Sequence, residues 1–182
     1  MRGEGGRRPG EGRRYSCEFL NGLLSPIVFV NSKLEILLIE DDEDDALLML
    51  RALHKAGIDH GIQVVSDGQE ALDYVSGTGK FQNRSEYPLP SIVLLDLKLP
   101  KVPGLDVLKC LRETPATRAM IVIVLTSSNL PADISQAYEL GANSYIVKPP
   151  AFEQLVAFAR VFKQYWLDFN SFAPCNISSK AS

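Results

Sequence analysis

Three acidic residues, one threonine and one lysine stand at the ends of apolar segments of the sequence. Glu40 and Asp41 follow the run LEILLI, and Asp96 follows SIVLL. Thr126 ends the run MIVIVLT, and Lys148 follows NSYIV. Carboxylates that share a small site repel one another unless a cation offsets their charge. These positions therefore indicate a site that holds a positive group.

The residue types favour magnesium-assisted phosphoryl chemistry. Mg²⁺ takes one or two carboxylates, keeps several waters and shares phosphate oxygens. A lysine supplies a mobile point charge, and a threonine hydroxyl can donate a hydrogen bond to an anionic oxygen. The pattern contains no base-activated serine or cysteine, which leaves a carboxylate as the nucleophile and an aspartyl phosphate as its product. We expect the metal to bridge that carboxylate and the phosphoryl group, with Lys148 on the other oxygens.

Five short apolar segments alternate with five amphipathic ones along the chain. The predicted strands are 34–40, 62–66, 91–97, 120–128 and 143–150. The predicted helices are 43–57, 67–77, 103–113, 130–142 and 151–169. Strands that are apolar throughout belong to a parallel sheet covered on both faces. The fold class predicted is therefore α/β, a doubly wound five-stranded parallel sheet with helices on both faces.

In such open sheets, ligands bind at the carboxyl ends of the strands, where the strand order reverses. For the order 2-1-3-4-5, strands one and three flank this switch point. We therefore expect Glu40, Asp41 and Asp96 to converge, with Thr126 and Lys148 beside them.

The two ends of the chain differ from its body. Residues 1–33 are rich in glycine and arginine, a composition that predicts a disordered leader. Residues 34–169 are predicted to form one domain, and residues 170–182 a flexible tail. The body is more acidic than the total charge of −3, which argues against nucleic-acid binding.

The cysteine and hydropathy patterns predict a cytoplasmic protein. The three cysteines are far apart and form no CxxC pair, which indicates a reducing compartment. The apolar stretch 19–30 is interrupted by polar residues and is too short to cross a bilayer, so no membrane association is expected.

Four motifs resemble the receiver domain of two-component response regulators, of the chemotaxis-regulator type. They are LLIEDD, LLDLKLPKVPG, VLTSS and YIVKPP, and the resemblance covers about residues 34–169. It implies a flavodoxin-like fold in which Asp96 is the phosphoacceptor and Glu40 and Asp41 form the acidic pocket. It further implies that Asp41, Asp96 and the Lys98 backbone carbonyl bind Mg²⁺. Thr126 and Tyr145 would be the switch pair and Lys148 the paired lysine.

The resemblance implies a single-domain response regulator that accepts a phosphoryl group from a sensor histidine kinase and signals by protein binding. It would promote its own phosphotransfer and dephosphorylation without being a turnover enzyme. The loop 77–90 and the ending VFKQYWLDF resemble the receivers that partner phytochrome-type kinases. Upon phosphorylation, Thr126 would move toward the new anion and Tyr145 would turn inward.

Two other functions remain open. A phosphorylation-independent adaptor would keep the fold and a dimer surface alone. A phosphohydrolase of similar topology needs a second acid two residues after its nucleophile, where this chain has Lys98. The acids from Asp42 to Asp45 are assigned to the first turn of a helix, where negative charge is favoured.

The last helix carries two apolar stripes. One stripe is sufficient to face the sheet, and the other contains Phe158, Val161, Tyr165 and Phe169. A helix that is apolar on two faces needs a second partner. We expect a homodimer through this helix; the alternative is that the leader covers the second stripe.

Overall fold

The protein is described by a computed structural model over residues 34–59 and 61–172. Its five parallel strands form one sheet in the order β2-β1-β3-β4-β5, which confirms the predicted topology. The strands are β1 Ile36–Ile39, β2 Ile62–Val65, β3 Ile92–Leu95, β4 Ile121–Thr126 and β5 Ser144–Val147. The helices are α1 Glu43–Lys55, α2 Gly68–Ser76, α3 Gly104–Glu113, α4 Pro131–Glu139 and α5 Phe152–Phe162.

Both faces of the sheet are buried by helices. Side chains alternate along a strand, so Ile36 and Leu38 join one apolar cluster with α1 and α5, while Leu37 and Ile39 join another with α2 and α3. β1 and β3 are buried at every position because they lie inside the sheet and under both layers. This explains why their sequences are apolar without alternation.

The observed strands are shorter than the apolar runs that predict them. β3 ends at Leu95, so Asp96 and Leu97 lie beyond the ladder. β5 ends at Val147, directly before Lys148. The backbone N–H groups of Asp96 and Lys148 still donate to the neighbouring strands, at 3.1 Å to the Ile39 carbonyl and 2.8 Å to the Thr126 carbonyl, so the strand ends hold these residues in place.

The last helix does not continue as one α-helix to residue 169. After α5, residues Lys163–Phe169 form a wider π-helix, which ends with a hydrogen bond from the Asn170 amide to the Tyr165 carbonyl. Within this segment Trp166 and Leu167 both pack against the core formed by α1, α5 and the sheet.

The predicted long loop between α2 and β3 is packed against the domain. It contains a short 3₁₀ turn, Gly79–Phe81, whose Phe81 is buried with its ring centroid 5.0 Å from that of Tyr74. Arg84 donates hydrogen bonds to the carbonyl oxygens of Tyr74 and Val75, at 2.7 Å each. These contacts close the carboxyl end of α2.

The predicted leader, residues 1–33, lies outside the described residues, as does the tail beyond Phe172. Phe172 itself packs against the core beside α5. Among the helices of the described residues, none is long and apolar enough to cross a membrane.

Candidate functional site

The structure brings three acidic side chains together at the carboxyl ends of β1 and β3. Glu40, Asp41 and Asp96 each place one carboxylate oxygen within 4.8 Å of the others. Glu40 and Asp96 are buried, whereas Asp41 is exposed. β1 and β3 pair in parallel register, Ile39 opposite Leu95, so the residues that follow them emerge side by side. This is the convergence that the strand order predicts.

Lys148 enters the same site from the end of β5. Its ammonium nitrogen Nζ lies 2.6 Å from Glu40 Oε2, 2.7 Å from Asp96 Oδ2 and 2.9 Å from Asp45 Oδ2. Its backbone N–H donates to the Thr126 carbonyl at 2.8 Å, which fixes the chain where the side chain begins. Only 15% of the side chain is exposed.

Two further donors hold the carboxylate of Asp96. Thr126, the last residue of β4, donates its hydroxyl to Asp96 Oδ1 at 2.7 Å. The backbone N–H of Lys98 donates to the same oxygen at 3.0 Å. The carboxylate of Asp96 is therefore oriented by three donors. The predicted role of the Lys98 carbonyl as a metal ligand stays a prediction.

The loop between β3 and α3 can approach the site closely because residue 104 is a glycine. A side chain at Gly104 would place its Cβ 2.1 Å from the carbonyl oxygen of Asp96. The Gly104 N–H also donates to the Leu97 carbonyl at 3.0 Å. Any larger residue would displace the backbone that carries Asp96.

Tyr145 lies half-buried on β5, beside the site. Its hydroxyl donates to the carbonyl oxygen of Ser128 at 3.1 Å, and its ring packs against a cluster that includes Val124 and Ala137. Burial raises the pKa of Tyr145. In this structure both predicted switch residues already contact their partners, Thr126 with Asp96 and Tyr145 with Ser128. The predicted movement of the pair stays a prediction.

The pKa values of the two buried carboxyls are shifted in opposite directions, because the protein gives Asp96 more hydrogen-bond donors than Glu40. Burial raises the pKa of Glu40 to about 7, against which the hydrogen bond from Lys148 acts. Burial acts in the same direction on Asp96, but donors from Lys148, Lys98 and Thr126 outweigh it and hold that pKa below its ordinary value. Burial disfavours the charge of Lys148, but its three carboxylate partners raise its pKa. The first proton taken up by the site therefore goes to Glu40.

The donor set of this site fits a divalent cation. One ammonium group contacts three carboxylates, from Glu40, Asp45 and Asp96, and the carboxylate of Asp41 lies close to those of Glu40 and Asp96. Asp41, the exposed member of the cluster, points a hard oxygen ligand at the same position as the two buried acids. Oxygen ligands of this kind suit Mg²⁺, Ca²⁺ or Mn²⁺.

Asp45 is the site residue that the sequence analysis missed, because it is assigned there only to the first turn of α1. Its position carried a signal. It precedes Met49 by four residues and Ala52 by seven, and both are buried on the inner face of α1. Asp45 therefore lies on the side of the helix that faces the sheet, and it is only half-exposed.

Comparison with known proteins gives a family and several relatives. The response regulator receiver domain matches residues 36–160. The Probable methanogenesis regulatory protein FilR2 of Methanothrix harundinacea is 40% identical over 135 residues, 74% of this chain and 84% of that protein. The response regulator Rcp1 of Synechocystis is 33% identical over 133 residues, 73% of this chain and 88% of that protein.

Two solved structures of response regulators are similar in fold to this chain. The Mn²⁺-bound form of Rcp1 has a TM-score of 0.70 at 32% identity and covers 76% of this chain and 98% of its own. The phosphorylated cyanobacterial phytochrome response regulator RcpA has a TM-score of 0.71 at 32% identity and covers 77% of this chain and 98% of its own. The family match over residues 36–160 includes all five strands and every residue of the site. The chain therefore belongs to the response regulator receiver domain family.

Proposed function

We propose that this protein accepts a phosphoryl group on Asp96 from a phosphohistidine of a sensor histidine kinase, in a reaction that uses Mg²⁺. The observation that carries the proposal is the surroundings of Asp96. Its carboxylate is buried, oriented by Thr126, Lys98 and Lys148, and adjacent to Glu40 and Asp41. Such preorganised donors stabilise charge that develops on transferred oxygens.

In the proposed transfer, a carboxylate oxygen of Asp96 attacks the phosphorus atom. The bond from phosphorus to the imidazole nitrogen breaks with its electron pair on that nitrogen, and a new bond joins phosphorus to Asp96. Lys148 and Thr126 then place their donors on the phosphoryl oxygens. Mg²⁺ held by Asp41, Asp96 and the Lys98 carbonyl would offset the charge of the incoming group. The protein promotes this transfer and the later hydrolysis, in which water attacks the phosphorus, the bond to Asp96 breaks and inorganic phosphate leaves, without acting as a turnover enzyme.

The phosphoryl group is proposed to act through Thr126 and Tyr145. A hydroxyl that contacts Asp96 would follow the new anion, and Tyr145, on the neighbouring strand, would respond to that shift. β4 and β5 pair with Val124 opposite Tyr145, so the two switch residues lie on adjacent strands. The surface formed by α4, β5 and α5 would then change its binding properties.

The kinase is proposed to be of the phytochrome type. This rests on relatives described as phytochrome response regulators, among them RcpA.

A homodimer is proposed through an exposed apolar stripe on α5 and the π-helix that follows it. The stripe consists of Val161, Tyr165 and Phe169, which are 65%, 57% and 74% exposed. Large apolar side chains that are exposed together indicate a protein interface.

The intact mass of the protein tests the phosphoryl transfer. The protein is incubated with acetyl phosphate and Mg²⁺, with Asp96→Asn in parallel and Asp106→Asn as the matched control on α3. We expect one phosphoryl increment on the parent and on the control. It should be absent from Asp96→Asn and absent when the metal is chelated. A folded parent without the increment would contradict the proposal and favour the phosphorylation-independent adaptor.

A further inference from the structure

Asp45 contacts Lys148 across 103 residues of sequence, and nothing in the proposed transfer uses this contact. Its Oδ2 lies 2.9 Å from the ammonium nitrogen. The first turn of α1 is fixed by Asp42, whose side chain accepts hydrogen bonds from the backbone N–H groups of Asp44 and Asp45, each at 2.9 Å. The carboxylate of Asp45 is thus presented to Lys148 from a capped helix end, which limits its movement.

The three acceptors of Lys148 are not equivalent. A lysine ammonium has three N–H donors, and here they meet Glu40, Asp45 and Asp96. Glu40 and Asp96 also belong to the cluster whose oxygens lie within 4.8 Å of one another, whereas Asp45 does not. A cation at this cluster would compete with Lys148 for the nearby carboxylate oxygens, and a phosphoryl group bonded to Asp96 would take one of its oxygens. Asp45 is the acceptor that such competition leaves in place.

We infer that Asp45 is a positioning residue that keeps the ammonium group of Lys148 at the edge of the site when a metal and a phosphoryl group occupy Asp96 and its surroundings. This inference rests on the proposed function. A lysine side chain has four flexible bonds and loses considerable entropy when it is fixed. An anchor outside the metal cluster limits that freedom and directs the remaining N–H groups toward the phosphoryl oxygens. Without it, the ammonium group moves to solvent or draws Asp96 away from the metal.

The first experiment measures the phosphorylation rate at saturating acetyl phosphate and saturating Mg²⁺. We expect Asp45→Asn to lower this rate about tenfold, the effect of losing one charge-assisted hydrogen bond. Asp45→Glu should recover part of the rate. Asp44→Asn is the matched control, since Asp44 is the adjacent exposed acid and carries the same charge. A rate unchanged in Asp45→Asn, or changed equally in Asp44→Asn, would overturn the inference.

A double-mutant cycle with Lys148→Ala separates positioning from a general effect on the fold. If Asp45 acts through Lys148, then Asp45→Asn has no further effect on the rate once the ammonium group is gone. Losses that multiply in the double variant would show that Asp45 acts by another route, which contradicts the inference.

A readout without phosphorylation distinguishes this inference from the proposed function. The ammonium protons of Lys148 should exchange slowly with water in the Mg²⁺-bound protein, and ¹⁵N-detected NMR measures this directly. We expect faster exchange in Asp45→Asn and unchanged exchange in Asp44→Asn. A parent that is never phosphorylated would refute the proposed function alone, while unchanged exchange in Asp45→Asn would refute the inference alone.

Discussion

The hydroxyl of Thr126 donates a 2.7 Å hydrogen bond to Asp96 Oδ1, and both residues are buried. This contact joins the end of β4 to the proposed phosphoacceptor at the end of β3. It also helps to hold the pKa of Asp96 below its ordinary value of 3.8, against the effect of burial. When folding lowers the pKa of a carboxyl group, the group stabilises the fold at pH values above its pKa in the unfolded state. That stabilisation disappears as pH falls through its pKa in the folded state.

Replacing Thr126 by valine should therefore destabilise the protein at pH 7. We expect a loss of about 1–2 kcal/mol in the free energy of unfolding, measured by urea titration, because a buried carboxylate loses a donor. Thr126→Ser keeps the hydroxyl and should lose less. The difference between the two variants should shrink as pH falls below 3.8 and through the lowered pKa of Asp96. A difference that persisted there would show that packing of the methyl group, and not the hydrogen bond, causes it.

Tyr145→Phe should separate phosphorylation from its consequence. The variant loses the hydrogen bond to the Ser128 carbonyl and keeps the ring in the cluster with Val124 and Ala137. We expect Asp96 to be phosphorylated at a rate within about twofold of the parent, since Tyr145 does not contact Asp96, and stability to fall by about 1 kcal/mol. Hydrogen exchange on α4 should change on phosphorylation in the parent and change less in the variant. Equal changes in hydrogen exchange in both proteins would contradict the proposed role of Tyr145 as a switch residue.

Divalent metal should bind more weakly as pH falls below 7. The pKa of Glu40 is raised by burial from 4.5 to about 7, so a proton competes with the cation for this site below that pH. The apparent dissociation constant for Mg²⁺ should rise up to about tenfold for each pH unit below 7. Isothermal titration at pH 6, 7 and 8 measures it. Glu40→Gln should remove this dependence, while the exposed control Glu139→Gln on α4 should retain it.

The same pKa predicts how stability changes without metal. Protonated Glu40 tolerates burial. Its contribution to the stability of the fold is therefore fully present below 4.5, the pKa of the unfolded state, and is lost as pH rises through the folded pKa of about 7. In the presence of a chelator, the melting temperature of the parent should therefore fall between pH 5 and 8 more than that of Glu40→Gln. A parent that gained stability over this range, relative to the variant, would contradict the predicted burial cost.

The parallel sheet could be predicted from the apolar runs, and the meeting of the carboxylates follows from a topological rule once the order 2-1-3-4-5, a common one for such sheets, is assumed. The place of Asp45 in the site could not be predicted in this way. An acid in the first turn of a helix is already explained by its favourable interaction with the helix dipole. Its contact with Lys148 depends on how α1 packs beside β5, which local sequence does not specify. The π-helix after α5 was missed for a similar reason: the choice between α and π depends on which side chains the core accepts.

The exposed stripe on α5 and the π-helix after it gives the last prediction, that the protein is a dimer through this stripe. Val161 and Tyr165 are exposed in the described chain while Leu155 and Phe162 bury the opposite face of the same helix. Their replacement by lysine costs little folding energy and introduces charge repulsion into any apolar interface. We expect sedimentation velocity to show a dimer for the parent at tens of micromolar and a monomer for the double variant Val161→Lys with Tyr165→Lys.

Leu47→Lys provides the matched control for this prediction. Leu47 is an exposed apolar residue on α1, at 45% exposure, and its replacement adds one lysine, half the charge of the double variant, elsewhere on the surface. The control should remain dimeric and should melt within a few degrees of the parent. A monomeric parent would refute the dimer, and a control that dissociated as fully as the double variant would move the interface away from α5. A dimer that survives the double variant would also exclude this stripe, because two lysines facing two lysines in an apolar contact cost several kcal/mol.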